Sequence, residues 1–253
     1  MTTLLILLIV VAAIALGGAW YAYRIAFYSP KAEREKIHKV TGSNYDPYRP
    51  EMKRIFHQLN DRPFERVYIT SFDGLTLTGR YYHVKEGAPL DIGFHGYRSN
   101  PVTDFSGGSE LSFLLEHNLL LVEQRALCKS QGNTITFGIK ERQDLLRWGD
   151  FSIGRLCEDG KIYLYGVSMG GATVLMASEL NLPDNVKGII ADCPYSSPMD
   201  VILYVGKAIN LHNRVRSYFR ENIGRGPMID KMVTLIARFE YIVTDSELEA
   251  LVL

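Results

Sequence analysis

The chain has 253 residues, with 28 lysines and arginines against 28 aspartates and glutamates, so its formal net charge is zero. That length supports one large α/β domain with a sizeable core, or two small domains. The balanced charge gives no electrostatic footprint for nucleic acid, and no nucleic-acid partner is expected. Three scattered cysteines (Cys128, Cys157 and Cys193) form no C-x-x-C pair. They imply neither a zinc site nor a disulfide framework, and no metal or other cofactor is expected.

Residues 1–28 read as a transmembrane anchor. Thr2 to Tyr23 carry no charge, and a run of about 20 apolar residues spans a bilayer as a helix. Trp20, Tyr21 and Tyr23 stand at its far end, where aromatic rings favour the membrane interface. A cleaved signal would carry a basic segment ahead of a shorter core, whereas here no lysine or arginine precedes the run. Arg24, Lys31, Arg34, Lys36 and Lys39 follow it, which predicts a single-pass protein with its globular part in the cytoplasm.

Residues 29–62 are polar, charged and punctuated by proline, which predicts a linker and a short helix. From residue 63 on, alternating runs around Asp73-Gly74 (64–84) predict a β-hairpin. Next come a buried strand (90–96), a helix (109–117), a strand (119–124), a helix (137–148) and a strand ending in "KIYLYG". "MGGATVLMASEL" predicts a helix and 186–193 a strand. Strands alternating with helices argue for a mainly parallel sheet with helices on both faces. In the tail, 197–211 and 226–243 have apolar residues at helical spacing with no strand between them.

Ser168 lies between Gly166 and Gly170 in a G-x-S-x-G motif, entered by a strand and left by a helix. A nucleophilic serine needs that context: a sharp turn lifts its oxygen above the sheet, and small flanking residues permit the turn. The helix N-terminus then favours developing negative charge.

"GVSMGG" after a strand, "FHGYRSN" some 70 residues earlier and "EQRALCKSQG" between them resemble the α/β-hydrolase superfamily. The nearest branch is similar to the membrane-anchored serine-aminopeptidase-like and lysophospholipase-like hydrolases. The resemblance runs from about Phe64 onward and implies an α/β-hydrolase sheet with a helical cap at about 196–245. It implies a serine hydrolase of ester, thioester or amide bonds, acting on a small-molecule or lipid-like acyl substrate. Ser168 would form the acyl-enzyme, and the N–H groups of Tyr97 and Met169 would be the oxyanion donors. His95 would brace the loop rather than move protons. Glu123 stands where the family has aspartate, and Leu127-Cys128 where it has His-Gly; Cys128 reads as a packing residue.

The acid and base are not found by this reading. The family order is serine, then acid, then histidine, and only His212 follows Ser168. It falls at the end of a cap helix. His38, His57, His83 and His117 precede the motif, and Asp192, Asp200, Asp230 and Asp245 sit in no matching acid loop. "RFEYIVTDSELEALVL" resembles the stretch before the strand that carries the family's acid. The domain over 63–253 is thus expected to be C-terminally incomplete and inactive as it stands. A non-catalytic, membrane-tethered binding protein or hydrolase remnant is the alternative.

Overall fold

The computed structural model describes residues 2–31, 46–156, 160–195 and 198. The expected cap, with His212, Asp200, Asp230 and Asp245, lies outside the described residues, as do His38 and Cys157. The elements run α1 (Thr2–Ala26), α2 (Arg49–Asp61), β1 (Glu65–Thr70), β2 (Thr76–Tyr82), β3 (Leu90–Phe94), α3 (Pro101–Leu114), β4 (Asn118–Glu123), α4 (Glu141–Arg155), β5 (Ile162–Val167), α5 (Met169–Ala177) and β6 (Val186–Asp192).

The six strands form one sheet in the order β1-β2-β4-β3-β5-β6. The hairpin β1–β2 is antiparallel, as is the β2–β4 pair, whereas β4, β3, β5 and β6 run parallel. Both faces are covered. On one, Leu145 and Trp148 of α4 and Val174 and Ala177 of α5 join Ile92, Leu120 and Leu164 of the sheet. On the other, Leu59 of α2 and Val102 and Phe105 of α3 meet Tyr82, Leu119 and Leu121. β3 and β4 are buried along their whole length, as expected of parallel strands between helix layers. A third, smaller cluster of Ala126, Leu127, Ile135 and Met169 packs with Tyr97 and Tyr195 among the loops at the carboxyl ends of the parallel strands.

Two helices depart from the sequence expectation. α3 starts at Pro101, not 109, because Asn100 caps it: its side chain accepts from the Thr103 N–H at 2.9 Å, with proline next in line. It ends before 117 because Glu116 turns left-handed, at φ 57°. α4 starts at Glu141 rather than 137. The Glu141 carboxylate accepts from the N–H groups of Thr136 and Gly138, each at 2.9 Å, and from the Thr136 hydroxyl at 2.5 Å. That carboxylate folds 136–140 into a turn ahead of the helix.

α1 holds a span from Leu5 to Ala26 with mean hydropathy 2.4, none of it buried, long and apolar enough to cross a membrane. Its end is fastened to the domain. Tyr28 and Thr134 form an antiparallel bridge. The Ser29 N–H donates to the Asn133 carbonyl at 2.9 Å, and the Ile135 N–H to the Phe27 carbonyl at 2.8 Å.

Candidate active site

The turn from β5 to α5 is tight. Ser168 has φ 53° and ψ −111°, a left-handed conformation that strains any residue with a Cβ. Its N–H donates to the Asp192 carbonyl of β6 at 2.9 Å, and its carbonyl accepts from the Ala172 N–H at 3.0 Å. The neighbouring glycines let the backbones close up. A Cβ on Gly166 would run into the Gly170 carbonyl, and one on Gly170 into the Phe94 carbonyl at the end of β3. Gly171 is a third such position, unremarked in the motif: its Cβ would stand 2.8 Å from the Asp192 carbonyl oxygen. These contacts are backbone, so no side-chain rotation could relieve them.

The loop expected to supply an oxyanion donor follows β3 at the same edge of the sheet, and Gly96 lies against the elbow: a Cβ there would be 3.5 Å from the Ser168 Cβ. Asp104, in the first turn of α3, holds this loop. One of its oxygens accepts from the Gly96 N–H and the other from the Ser99 hydroxyl, both at 2.6 Å. Sequence reasoning missed Asp104. Its signal was the Asn-Pro helix start three residues ahead of it. Among the described residues, neither the Tyr97 nor the Met169 N–H has an acceptor. Both are in the condition that an oxyanion donor requires.

His95 is wholly buried. Its Nε2 accepts from the Gln124 N–H at 3.2 Å, so the proton sits on Nδ1, which donates to the Gly96 carbonyl at 2.9 Å. Burial pushes its pKa down. It is a neutral brace between the loops after β3 and β4, with both ring nitrogens occupied.

Glu123 and Arg125 organise the loop after β4. Burial would raise the Glu123 carboxyl, but bonds from Thr78, Arg66 and the Lys129 N–H outweigh it and hold it below the ordinary value. The Arg66 bond is 2.9 Å and the Lys129 bond 3.1 Å. Arg125 grips Asp144 of α4 at 2.6 and 2.7 Å and Asp73 of the hairpin turn at 3.0 Å through two nitrogens. The guanidinium keeps Asp73 far below the usual carboxylate range, with help from Ser71 and Lys140. Cys128 in this loop is half-buried with a left-handed φ of 46°.

The base that the sequence reading left unassigned is not among these groups. Among the described residues, no side chain hydrogen-bonds to the Ser168 hydroxyl. His83 pairs with Tyr81 at 3.2 Å and His117 with Asp91 at 3.0 Å. His57 is an exposed residue of α2. Asp192 gives Ser168 its carbonyl, while its side chain faces solvent. On the α3 face, a cavity of about 240 Å³ runs between Asp104, Phe105, Tyr165, Gly166, Val167 and Asp192; Ser168 does not line it.

Comparisons divide the chain in two. An esterase of Pyrococcus furiosus is similar over 72% of this chain and 67% of its own, at 24% identity and a TM-score of 0.52. A second crystal structure of it gives 76%, 65%, 20% and 0.53. Residues 194–253 match the family model of the UvrC-like GIY-YIG domain. The UvrABC system protein C of Alkaliphilus metalliredigens (strain QYMF) is 64% identical over 52 residues, 21% of this chain and 8% of that protein. That of Prochlorococcus marinus (strain MIT 9313) is 49% identical over 84 residues, or 32% and 13%. The chain therefore spans no more than 13% of these curated relatives. The stretch expected to form a hydrolase cap is instead the one similar to a UvrC-like GIY-YIG domain. Upstream of it, the sheet order, the elbow and the solved neighbours give Glu65–Asp192 an α/β-hydrolase fold.

Proposed function

We propose that Ser168 is the nucleophile of a serine hydrolase of ester, thioester or amide bonds. Its oxygen attacks the acyl carbonyl, and the Tyr97 and Met169 N–H groups hold the oxyanion. The observation that carries this reading is the elbow: a strained serine at a helix N-terminus, sealed by Gly166, Gly170 and Gly171, with two N–H groups beside it that have no acceptor among the described residues.

Turnover by this chain is slow in the same reading, because no described group takes the Ser168 proton. Loss of one triad member leaves roughly 10³–10⁴-fold catalysis over water, supplied by the oxyanion donors and binding. The test is prolonged labelling of the full chain with a fluorophosphonate, the adduct mapped by mass spectrometry. Slow labelling at Ser168, lost in Ser168→Ala, supports the nucleophile; labelling that Ser168→Ala leaves unchanged overturns it. Brisk labelling that His212→Ala abolishes overturns the slow-turnover reading and places the base in 199–253.

A second reading rests on the match over 194–253. This stretch is a UvrC-like unit joined to a hydrolase core, and the core is a membrane-tethered remnant or binding module. Absence of any Ser168 adduct in a well-folded chain favours it. In both readings α1 is retained as a single-pass anchor and the globular part is cytoplasmic, from the basic residues that follow the span.

A further inference from the structure

The loops after β3 and β4 and the elbow after β5 lie at the carboxyl edge of the parallel strands, and the last turn of α1 lands on that edge. Arg98 Nη2 donates to the Ile25 carbonyl at 2.7 Å and to the Tyr28 carbonyl at 2.9 Å. Tyr97 Oη donates to the Ala26 carbonyl at 2.8 Å and accepts from Arg98 Nε at 2.8 Å. Tyr23 Oη meets Thr134 Oγ1 at 2.8 Å. A column of rings joins helix to site: Tyr23 on Phe27 at 6.0 Å, Phe27 on Phe137 at 5.4 Å, and Phe137 on Tyr97 at 5.1 Å.

Helix ends leave carbonyls without partners, and near a bilayer water cannot fully supply them. Arg98 and Tyr97 supply the partners here, and the Arg98 cation suits the negative end of the helix. Tyr97 thus has two duties: its hydroxyl caps the helix, while its N–H is an oxyanion donor in the reading above. Trp20, Tyr21 and Tyr23 are exposed on the last turns of the span, and Arg24 stacks over Trp20 and Tyr28 at 5.3 and 4.6 Å. An aromatic belt with a basic residue marks the interface, so the interface lies one side chain away from the oxyanion loop.

We infer that the end of α1 is a built part of the Ser168 site, clamped by Arg98 and Tyr97, so that the site opens at the bilayer surface and takes the acyl carbonyl of a membrane-resident amphiphile. Arg98 is a positioning residue. The substrate class rests on the serine-hydrolase reading; the clamp and the interfacial placement do not.

Three measurements test it, with the full chain in phosphatidylcholine–phosphatidylglycerol nanodiscs. First, a fluorophore is attached at Ile139→Cys, an exposed position on the loop that docks α1, or at Leu114→Cys, the exposed last residue of α3 at the opposite edge. Native cysteines are replaced by serine. Nitroxide lipids should quench the first label and spare the second; equal quenching, or more at 114, overturns the placement. Second, with native cysteines kept, Arg98→Gln should speed amide exchange of 95–100 about tenfold, as loss of a charge-assisted bond implies. β5 and β6 should not change, and Arg98→Lys should restore part of the protection. Unchanged exchange at 95–100, or equal loss across the sheet, overturns the clamp. Third, a long-chain alkyl fluorophosphonate in the bilayer should label Ser168 faster than a short soluble one. Equal rates overturn the substrate class. Labelling by neither overturns the nucleophile and with it the substrate class, while the first two measurements still decide the placement.

Discussion

Alanine at Gly170 tests the elbow through packing alone. The added methyl would occupy the position of the Phe94 carbonyl and come within 2.9 Å of the His95 carbonyl oxygen. Both belong to the backbone at the end of β3, which is paired on each side with β4 and β5. Relief therefore requires moving a central strand or unwinding the first turn of α5. Overpacking a close-packed interior costs about 1–3 kcal/mol, and a site walled by backbone belongs at the top of that range. For a domain of this size each kcal/mol lowers Tm by roughly 2–4 °C, so Gly170→Ala should melt about 6–12 °C below the parent. Gly108→Ala gives the opposite sign. Gly108 lies inside α3, and a Cβ there meets nothing within 4 Å. Alanine is the better helix former by about 1 kcal/mol, which raises Tm by roughly 2–4 °C. Thermal unfolding of the full chain in nanodiscs, followed by tryptophan fluorescence at buried Trp148, reads both. A Gly170→Ala protein melting with the parent would refute the close approach of elbow and β3.

Arg125→Met should destabilise by about 3 kcal/mol, because it leaves Asp144 buried without its cation; Arg125→Met with Asp144→Leu should recover much of this in urea unfolding, and no recovery would count against the pair. Glu123 is held below its ordinary value of 4.5 in the folded state. Its contribution is therefore complete above that value and lost as pH falls through the folded one. Glu123→Gln should accordingly cost more at pH 7 than at pH 3, and an equal cost at both would refute the linkage. In intact cells, the globular part should resist added protease if it is cytoplasmic, and ready digestion would place it outside.

The strands were legible in the sequence because their apolar runs are short and bounded by turn residues. The hairpin at Asp73-Gly74 and "IYLYGV" both fall where the period and the breakers put them. The helix starts were less legible, because they are set by single side chains acting on the backbone: the Asn100 cap and the Glu141 carboxylate shifted α3 and α4 by several residues. Ser168 was legible because its strain demands glycines at fixed spacing. Asp104 had only the Asn-Pro helix start to mark it, and Arg98 and Arg125 had nothing local, since they act across about 70 and 52 positions of chain. The tail was the least legible part for a related reason. Helical spacing in 197–211 and 226–243 fits many folds, and only likeness to a UvrC-like domain separates it from a cap.

In the proposed serine-hydrolase reading, the nucleophile and the base have different physical origins. The Ser168 turn and the loop beside it are shaped by contacts between neighbouring elements: β3 ends against Gly170, β6 lends a carbonyl to Ser168, and α3 lends Asp104 to the loop. Each contact is made by a segment within Glu65–Asp192 and needs nothing downstream. The base that this reading needs is not among these contacts, because no described side chain hydrogen-bonds to the Ser168 hydroxyl. An intact elbow is therefore evidence for a fold that positions a nucleophile, and turnover is a separate question that only a proton acceptor can answer. Arg98 sharpens the distinction. If it ties the loop after β3 to the end of α1, that loop keeps its shape through the N-terminal helix, whatever the residues after Asp192 do.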